Sequence, residues 1–374
     1  MSTPRFHSGQ VLLMKIHWFF KVLLVFVTIF FIWVIFYYGL PRVLPMQKVE
    51  NDEVFGLIFS NQIWGGKIKI VGDIYSPTNS KVTILPGTEV LVAIKGDKSN
   101  MDFLPWHIKS GVNTGESAKG VRNGEPFWDE GEKIQIHLNS LEIHGEPSNQ
   151  VLITSDSSEP SPYDFNVLSI RSGSITNAIF SNYRRFETGS NTIVVSSVFK
   201  NTGECSICIK KGKPKIDNNT FENSLRESVW VQKASPQISN NLFINLKGDG
   251  IKIDSKRLSV PQITNNVFEM PQGVAVNIVS GGQIKEVLIA RNIFSGNSQI
   301  KIACDTKLKV RDNVILGSTS FSNGCNGSFT FGPNFWGTPD ANIVMKEKIL
   351  NKYDKFIIDI PNVLLSPPKE AGRK

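Results

Sequence analysis

A short phrase, an Asn followed two residues later by a large apolar residue, returns at nearly constant intervals through the second half of this 374-residue chain. Successive Asn residues of the phrase lie 22, 25, 26, 21 and 21 residues apart. The six members are Asn219, Asn241, Asn266, Asn292, Asn313 and Asn334. A repeat of this length is typical of a solenoid, in which one unit buries its apolar face only against the next unit. The repeat therefore predicts a stack of similar coils.

The apolar member of the phrase defines a column of large side chains, which extends upstream of the first Asn. The column comprises Phe180, Phe199, Phe221, Phe243, Phe268, Phe294 and Trp336. We expect these rings to stack inside the solenoid. We expect each Asn to form a corner, because Asn tolerates left-handed backbone and its amide can bond the same amide of the next coil. Both sets are interpreted as a structural ladder, with ligand binding as the less favoured alternative.

Each unit combines short alternating apolar runs, such as Ile251-Lys252-Ile253, with corners of Asn and Gly. None has room for a helix of about 10–15 residues between strands. Short strands repeated in this way predict an all-β fold, a right-handed parallel β-helix with coils about 4.8 Å apart.

Residues 68–74, followed by 82–90, resemble the opening coil of right-handed β-helix repeat proteins with the pectin-lyase-like fold. The phrase Asn334-Phe335-Trp336-Gly337-Thr338 is similar to one found near the end of many of them. That superfamily includes polysaccharide lyases, hydrolases, esterases and proteins without known chemistry, so the resemblance implies the fold rather than an activity. Lyases of this fold often use Ca²⁺, and a Ca²⁺ cofactor would be expected here only if the chain were a lyase.

An uncharged apolar stretch at residues 22–40 precedes the repeats. Its 19 residues would nearly cross a hydrocarbon core of about 30 Å as a helix. We therefore predict a single transmembrane helix at 22–40, and a cleaved signal peptide is the alternative. Basic residues before the stretch favour a cytoplasmic N-terminus at 1–21. The β-helix would then be extracytoplasmic, in the periplasm or at the cell surface.

The remaining boundaries follow from breaks in the repeat. We expect a juxtamembrane linker at 41–62 and the β-helix over 63–365, with a loop insert at 97–133. A capping helix at about 339–352, with Thr338 as its N-cap, would close the stack. The tail at 366–374 is expected to be disordered.

Four cysteines fall into two pairs. Cys304 and Cys325 are 21 residues apart, which is the local coil length, so they are candidates for a disulfide between adjacent coils or for two free thiols. Cys205 and Cys208 favour a local disulfide or a free thiol pair over zinc binding or redox catalysis.

The sequence offers no recognisable catalytic constellation, metal site or cofactor motif. Asp249, between two glycines, is interpreted as a turn residue, and Lys252 and Lys301 as a solvated face. The candidate ligand-binding residues are Trp106, His107 and Trp128 in the insert, because aromatic rings stack on sugars. They would equally well pin the insert to the coils.

The net charge of +8 permits acidic glycans or anionic lipid headgroups as partners. The sequence contains no basic cluster with interleaved aromatic residues, so nucleic acid is not expected as a partner. The favoured hypothesis is a non-catalytic, membrane-anchored protein with a structural, adhesive or polysaccharide-binding role, and a scaffold for protein partners is a further one. The alternative is a polysaccharide lyase or glycoside hydrolase. That alternative requires a cluster of Asp, Glu or Arg on one outward face.

Overall fold

The computed structural model describes residues 20–31, 47–49, 53–76, 79–94, 121–122, 125–126, 133–254, 259–270, 273–280, 286–303, 307–322, 327–350 and 356–373. The chain divides into two compact units, one of Met1–Leu44 with Met101–Ser117 and one of Pro45–Asn100 with Ala118–Lys374.

In the first unit the described residues 20–31 form a helix, in which the Thr28 hydroxyl donates to the Leu24 carbonyl at 2.8 Å. No helix among the described residues combines the length and the apolar character that a membrane crossing requires. The predicted transmembrane segment 22–40 is described only as far as residue 31, and the remainder lies outside the described residues.

The second unit is a parallel β-solenoid of about ten coils. Each coil contributes short strands to three parallel sheets, and several long strands bend at a corner and continue into the next sheet. Sheet 1 contains Glu53–Leu57, Lys67–Tyr75, Glu89–Val92, Val151–Ser155, Ala178–Thr188, Val198–Ile209, Thr220–Glu222, Leu242–Ile244, Val267–Met270, Ile293–Gly296 and Val314–Ile315. Of these, the first, second, fifth and sixth continue into sheet 2.

Sheet 2 is completed by Gln135–His144, Phe165–Thr176, Glu227–Val231, Ile251–Asp254, Val274–Ser280, Gln299–Ile302, Ser318–Phe321 and Ile349–Leu350. Its first two strands continue into sheet 3, which also contains Gln62–Trp64, Lys81–Ile84, Thr192–Val195, Lys215–Asp217, Gln237–Ser239, Gln262–Thr264, Val287–Ala290 and Leu308–Arg311. Gly327–Thr330 pairs in parallel with Phe356–Asp359, and a short hairpin joins Val121–Arg122 to Glu125–Pro126.

The corner between sheets 3 and 1 contains the Asn repeat. The six repeat Asn residues are fully buried, and their amides form a continuous ladder. Asn241 illustrates one step, because its backbone N–H and its Nδ2 both donate to Asn266 Oδ1 at 2.9 Å. Its Nδ2 also donates to the Ile216 carbonyl of the preceding coil at 2.9 Å. The ladder therefore satisfies buried corner groups and ties each coil to both neighbours.

The left-handed backbone of this corner lies one residue earlier than the sequence analysis places it. Positive φ angles of 56°, 56° and 59° occur at Asn218, Asn240 and Asn265, the residues directly before the ladder Asn. The left-handed residue turns the chain from sheet 3 into sheet 1, and the buried amide of the following Asn takes part in the ladder. The first Asn of each pair thus makes the turn, and the second Asn forms the hydrogen bonds between coils.

The aromatic column fills the interior beside sheet 1. Its six Phe rings are fully buried and stacked, with centroids 5.0, 5.3, 4.9, 4.6 and 4.9 Å apart from Phe180 to Phe294. Near the end of the column, Trp336 is also fully buried and packs edge-on against Phe331 at 5.2 Å. The column and the Asn ladder share one register, because four of the six Phe residues lie two residues after a ladder Asn. These four are Phe221, Phe243, Phe268 and Phe294.

Both ends of the solenoid differ from the sequence-based boundaries. Pairing of Glu53–Leu57 with Lys67–Tyr75 begins the stack before residue 63, and Gln47–Val49 covers this first strand as an antiparallel partner. At the other end the helical segment is shorter than 339–352. It consists of one α-turn at Ala341–Ile343 and a π-helical turn at Val344–Lys348. Its N-cap is Asp340 rather than Thr338, since the Asp340 carboxylate accepts from the N–H groups of the first turn.

The tail after residue 365, expected to be disordered, lies along the solenoid as far as residue 373. Glu370 pairs with Arg291 at 3.1 Å, and the Gly372 N–H donates to the Arg291 carbonyl at 2.8 Å. Arg373 donates to Asn218 Oδ1 from Nη2 at 2.8 Å and from Nε at 3.0 Å. These contacts fasten the tail across several coils.

The amide ladder predicts a specific cost for removing one step. We expect Asn266→Ala to lower the free energy of unfolding by about 2–4 kcal/mol, because buried partners in two coils lose their hydrogen bonds. Gln262→Ala, at an exposed position of the neighbouring strand, is the matched control and should change stability by less than about 0.5 kcal/mol. Urea unfolding followed by circular dichroism measures both. Equal effects of the two substitutions would contradict the structural role of the ladder.

Candidate functional site

The ligand-binding residues suggested by the sequence, Trp106, His107 and Trp128, lie outside the described residues. So do Cys304 and Cys325, and the disulfide between them stays a prediction. The candidate site that the described residues form lies elsewhere, on the outward face of sheet 2.

Parallel register brings side chains from five consecutive coils into one line on this face. Cys208 pairs with Trp230, Trp230 with Lys252, Lys252 with Asn277, and Asn277 with Lys301. The residues on either side of each, such as Ile251 and Ile253 around Lys252, are buried in the core. We call Cys208, Trp230, Lys252, Asn277 and Lys301 the outward row. From Trp230 to Lys301 it extends over three coil steps, or about 14 Å.

Lys252 lies at the centre of the outward row. Its Nζ is 5.3 Å from the centroid of the Trp230 ring and forms a short ion pair with Glu227 Oε1. Both partners are largely shielded, with side-chain exposures of 25% for Lys252 and 14% for Glu227. The Trp230 Nε1 is buried and has no hydrogen-bond partner within the described part of the chain. A buried donor without a partner requires an explanation, and a bound ligand or water molecule is one such explanation.

Asp249 lies one coil after Glu227. The Ser228 N–H donates to the Asp249 carbonyl at 2.9 Å, which holds the two strand starts side by side. The flanking glycines explain this placement, because a Cβ at Gly248 would come within 2.2 Å of the Arg226 carbonyl oxygen. A Cβ at Gly250 would come within 2.7 Å of the Ala275 carbonyl oxygen. The Gly-Asp-Gly segment thus packs tightly between coils and fixes the carboxylate at the edge of the outward row.

The two carboxylates have different surroundings. Glu227 is paired with an ammonium, whereas Asp249 Oδ2 accepts a hydrogen bond from Asn277 Nδ2 at 2.7 Å. Burial and the charge of Glu227 raise the pKa of Asp249, and they outweigh the Asn277 hydrogen bond and the charges of Lys252 and Lys301. Acid–base catalysis often uses two neighbouring carboxyl groups that have unlike surroundings.

A second charged cluster continues the same face toward the N-terminal coils. Glu187, adjacent in register to Cys208, forms ion pairs with Lys210 Nζ at 2.7 Å and with Arg185 Nε at 3.1 Å. Burial alone would raise the pKa of Glu187, but the charges of Arg185, Lys210 and His137, together with the Lys210 hydrogen bond, hold it below its ordinary value. Glu187 therefore stays ionised at neutral pH.

A disulfide between Cys205 and Cys208 separates the two charged clusters. Both cysteines are buried, and their Cα atoms are 5.7 Å apart. The strand Val198–Ile209 is bulged here relative to Ala178–Thr188, with register shifts on both sides of Arg185. The bulge folds two cysteines that would otherwise lie too far apart along a strand toward each other. A local disulfide was one of the two alternatives that the sequence left open.

The sequence analysis missed most of this site. It interpreted Asp249 only as a turn and Lys252 and Lys301 as a solvated face, and it did not select Glu227, Trp230 or Asn277. The positional signal was available, since Lys252, Asn277 and Lys301 follow one another from Trp230 at coil-length intervals of 22, 25 and 24 residues. Among the described residues, no group of three or more His, Cys, Asp or Glu side chains is arranged to hold a metal ion.

The buried pairing of Glu187 predicts a pH-dependent contribution to stability. Because its folded pKa is lowered, the contribution is present above the ordinary value of 4.5 and is lost as pH falls through the folded value. We expect Glu187→Gln to lower the free energy of unfolding by about 1–3 kcal/mol at pH 7, with the difference from wild type shrinking below pH 4.5.

Urea unfolding at pH 7 and at acidic pH provides this measurement. The control is Glu370→Gln, whose ion pair with Arg291 is largely exposed and should contribute under about 1 kcal/mol. A Glu187 effect that is the same at both pH values would show that its charge is not what stabilises the coil.

Comparison with known proteins agrees with this architecture. Residues 134–294 match the family described as right handed beta helix region, which covers somewhat under half of the chain. Searches of curated proteins and of solved structures found no match. The coil architecture and the family match together support a right-handed β-helix repeat protein.

Proposed function

We propose that this chain binds polysaccharide along the outward row of sheet 2, as a membrane-anchored, extracytoplasmic β-helix protein. The observation that carries the proposal is the row itself, in which an aromatic ring, two lysines and an amide are held in line over about 14 Å. Sugars are recognised by apolar contact with aromatic rings and by hydrogen bonds to their hydroxyl groups. The outward row offers both on a rigid surface.

The linear arrangement favours an extended ligand over a compact one. Each coil presents one outward-row side chain, so a chain of sugar units lying parallel to the solenoid axis would meet a new contact at every coil. Lys301 is exposed and Asn277 partly buried, which leaves polar groups available to such a chain. The resemblance to pectin-lyase-like proteins is consistent with this interpretation, and non-catalytic binding is the simplest form of it.

The location is supported by two features of the chain. Residues 22–40 carry no charge over 19 positions, which fits a membrane anchor. The Cys205–Cys208 disulfide fits an oxidising compartment, where disulfides form and persist.

The binding proposal predicts a strong effect at Trp230. We expect Trp230→Ala to weaken binding by about 10-fold or more in the detergent-solubilised full chain, because the ring supplies apolar contact and supports Lys252. The measurement is affinity electrophoresis or calorimetry against a panel of neutral and acidic polysaccharides. The matched control is Ile193→Ala, which removes a 44% exposed apolar side chain from the outward face of sheet 3.

Parallel tests of Trp106→Ala and Trp128→Ala separate this site from the loop insert. Loss of binding in those two variants, with wild-type affinity in Trp230→Ala, would move the binding site to the insert and reject the outward row.

The anchoring proposal predicts a defined topology. A reporter enzyme that is active only outside the cytoplasm should be active when fused after residue 373 and inactive when fused at residue 21. Activity at residue 21 alone would contradict an extracytoplasmic β-helix.

A further inference from the structure

Two carboxylates lie side by side at the edge of the outward row, and the proposed binding function does not use them. Glu227 reaches the row through its ion pair with Lys252, and Asp249 reaches it through its hydrogen bond from Asn277. Because Lys252 and Asn277 are outward positions of adjacent strands, both carboxylates open on the same face.

We propose that Glu227 and Asp249 form a catalytic pair that hydrolyses a glycosidic bond with retention of anomeric configuration. In this assignment Asp249 is the acid–base group and Glu227 is the nucleophile. The inference rests on the proposed function, since it requires that a polysaccharide lie along the outward row.

The coil spacing supports retention over inversion. The residues occupy neighbouring coils, whose strands are about 4.8 Å apart. Retaining glycosidases place their two carboxyl groups about 5–5.5 Å apart, whereas inverting enzymes need about 6.5–9.5 Å to admit a water molecule between them. Carboxylates one coil apart fit the first arrangement, and carboxylates two coils apart would fit the second.

The contacts of each carboxylate fit its assigned role. The ion pair with Lys252 holds the Glu227 carboxylate in one orientation, which suits a group that must attack a single carbon atom. Asn277 Nδ2 donates a hydrogen bond to Asp249 Oδ2. Asp249 Oδ1 receives no hydrogen bond from any described residue and is available to carry a proton. Burial beside Glu227 raises the pKa of Asp249, which favours the protonated form that a general acid needs.

A third, independent feature is the unpaired indole donor. Trp230 Nε1 is buried and lacks a partner among the described residues, and Trp230 adjoins Lys252 in register. A sugar oxygen bound between Trp230 and the carboxylates would satisfy this donor. The same contact would place the sugar ring beside Glu227.

The reaction balances without a further reactant except water. In the first step, the Asp249 proton passes to the glycosidic oxygen as the bond from that oxygen to the anomeric carbon breaks. A Glu227 oxygen bonds the anomeric carbon, and the leaving sugar departs with a new hydroxyl group. In the second step, water gives a proton to Asp249 while its oxygen bonds the anomeric carbon and displaces Glu227. Both side chains return to their initial states.

The test measures binding and turnover separately on the solubilised full chain. Turnover is followed by reducing-end release from the polysaccharides of the binding panel and from 4-nitrophenyl glycosides, and NMR reports the anomeric configuration of the first product. We expect retained configuration in wild type. Asp249→Asn and Glu227→Gln should each lose about 100-fold or more of the activity and retain measurable binding.

The matched control is Glu286→Gln. Glu286 forms a comparable ion pair with Lys309 at 3.0 Å, on sheet 3, so this variant should keep full turnover. A further measurement is azide rescue of Glu227→Ala, which should yield a glycosyl azide of inverted configuration if Glu227 is the nucleophile.

Each outcome decides between the two proposals. Binding without turnover would overturn the catalytic pair and leave the binding face intact, as would full activity in Asp249→Asn. Product of inverted configuration would reject Glu227 as nucleophile. Absence of binding to every glycan tested, together with absence of turnover, would remove the proposed function itself.

Discussion

The Asn amide ladder is the interaction on which the rest of this structure depends. Each buried amide bonds the next coil through the same two donors and one acceptor, as at Asn241 and Asn266, so every coil has one register relative to its neighbour. A slip of one residue in register would leave the buried corner amides without hydrogen-bond partners and would turn core side chains outward. The stacked Phe column then fills the interior at the same spacing, and dispersion contacts between rings reinforce the register.

The same register creates the candidate site. Trp230, Lys252, Asn277 and Lys301 are separated by 71 positions in sequence, from 230 to 301, yet they form a single line because each is in the same position within its coil. Parallel strands hydrogen-bonded on both sides hold them rigidly. A rigid row reduces the conformational entropy that is lost on binding. Rigidity also keeps the charge of Glu227 partly buried against the Lys252 ammonium.

Sequence reasoning was sufficient for the repeating part of the fold and insufficient for the site. The ladder Asn and column Phe are visible because their chemistry recurs at every coil. The outward row is not visible in that way, since its members are chemically different and only their position recurs. The spacing between ladder Asn residues varies between 21 and 26, and the bulge at Cys205–Cys208 shifts the register locally, so counting alone loses the outward positions.

The C-terminal end of the solenoid shows a second kind of feature that the sequence pattern does not predict. Thr338-Pro339 has the residues of a helix start, but the short helical segment is capped by Asp340, because that carboxylate accepts from the N–H groups of Asn342 and Ile343. The polar tail carries no periodic signal, yet Arg373 and Glu370 fasten it through specific partners on the coils. Contacts of this kind depend on surface geometry that a single sequence does not display.

The most direct test of the account is a crystal structure of the chain with an oligosaccharide that it binds. The account predicts a sugar chain parallel to the solenoid axis, with one ring against Trp230 and its glycosidic oxygen within hydrogen-bond distance of Asp249. An oligosaccharide bound to another face, or lying across sheet 2 without contact to Trp230 and Lys252, would contradict it.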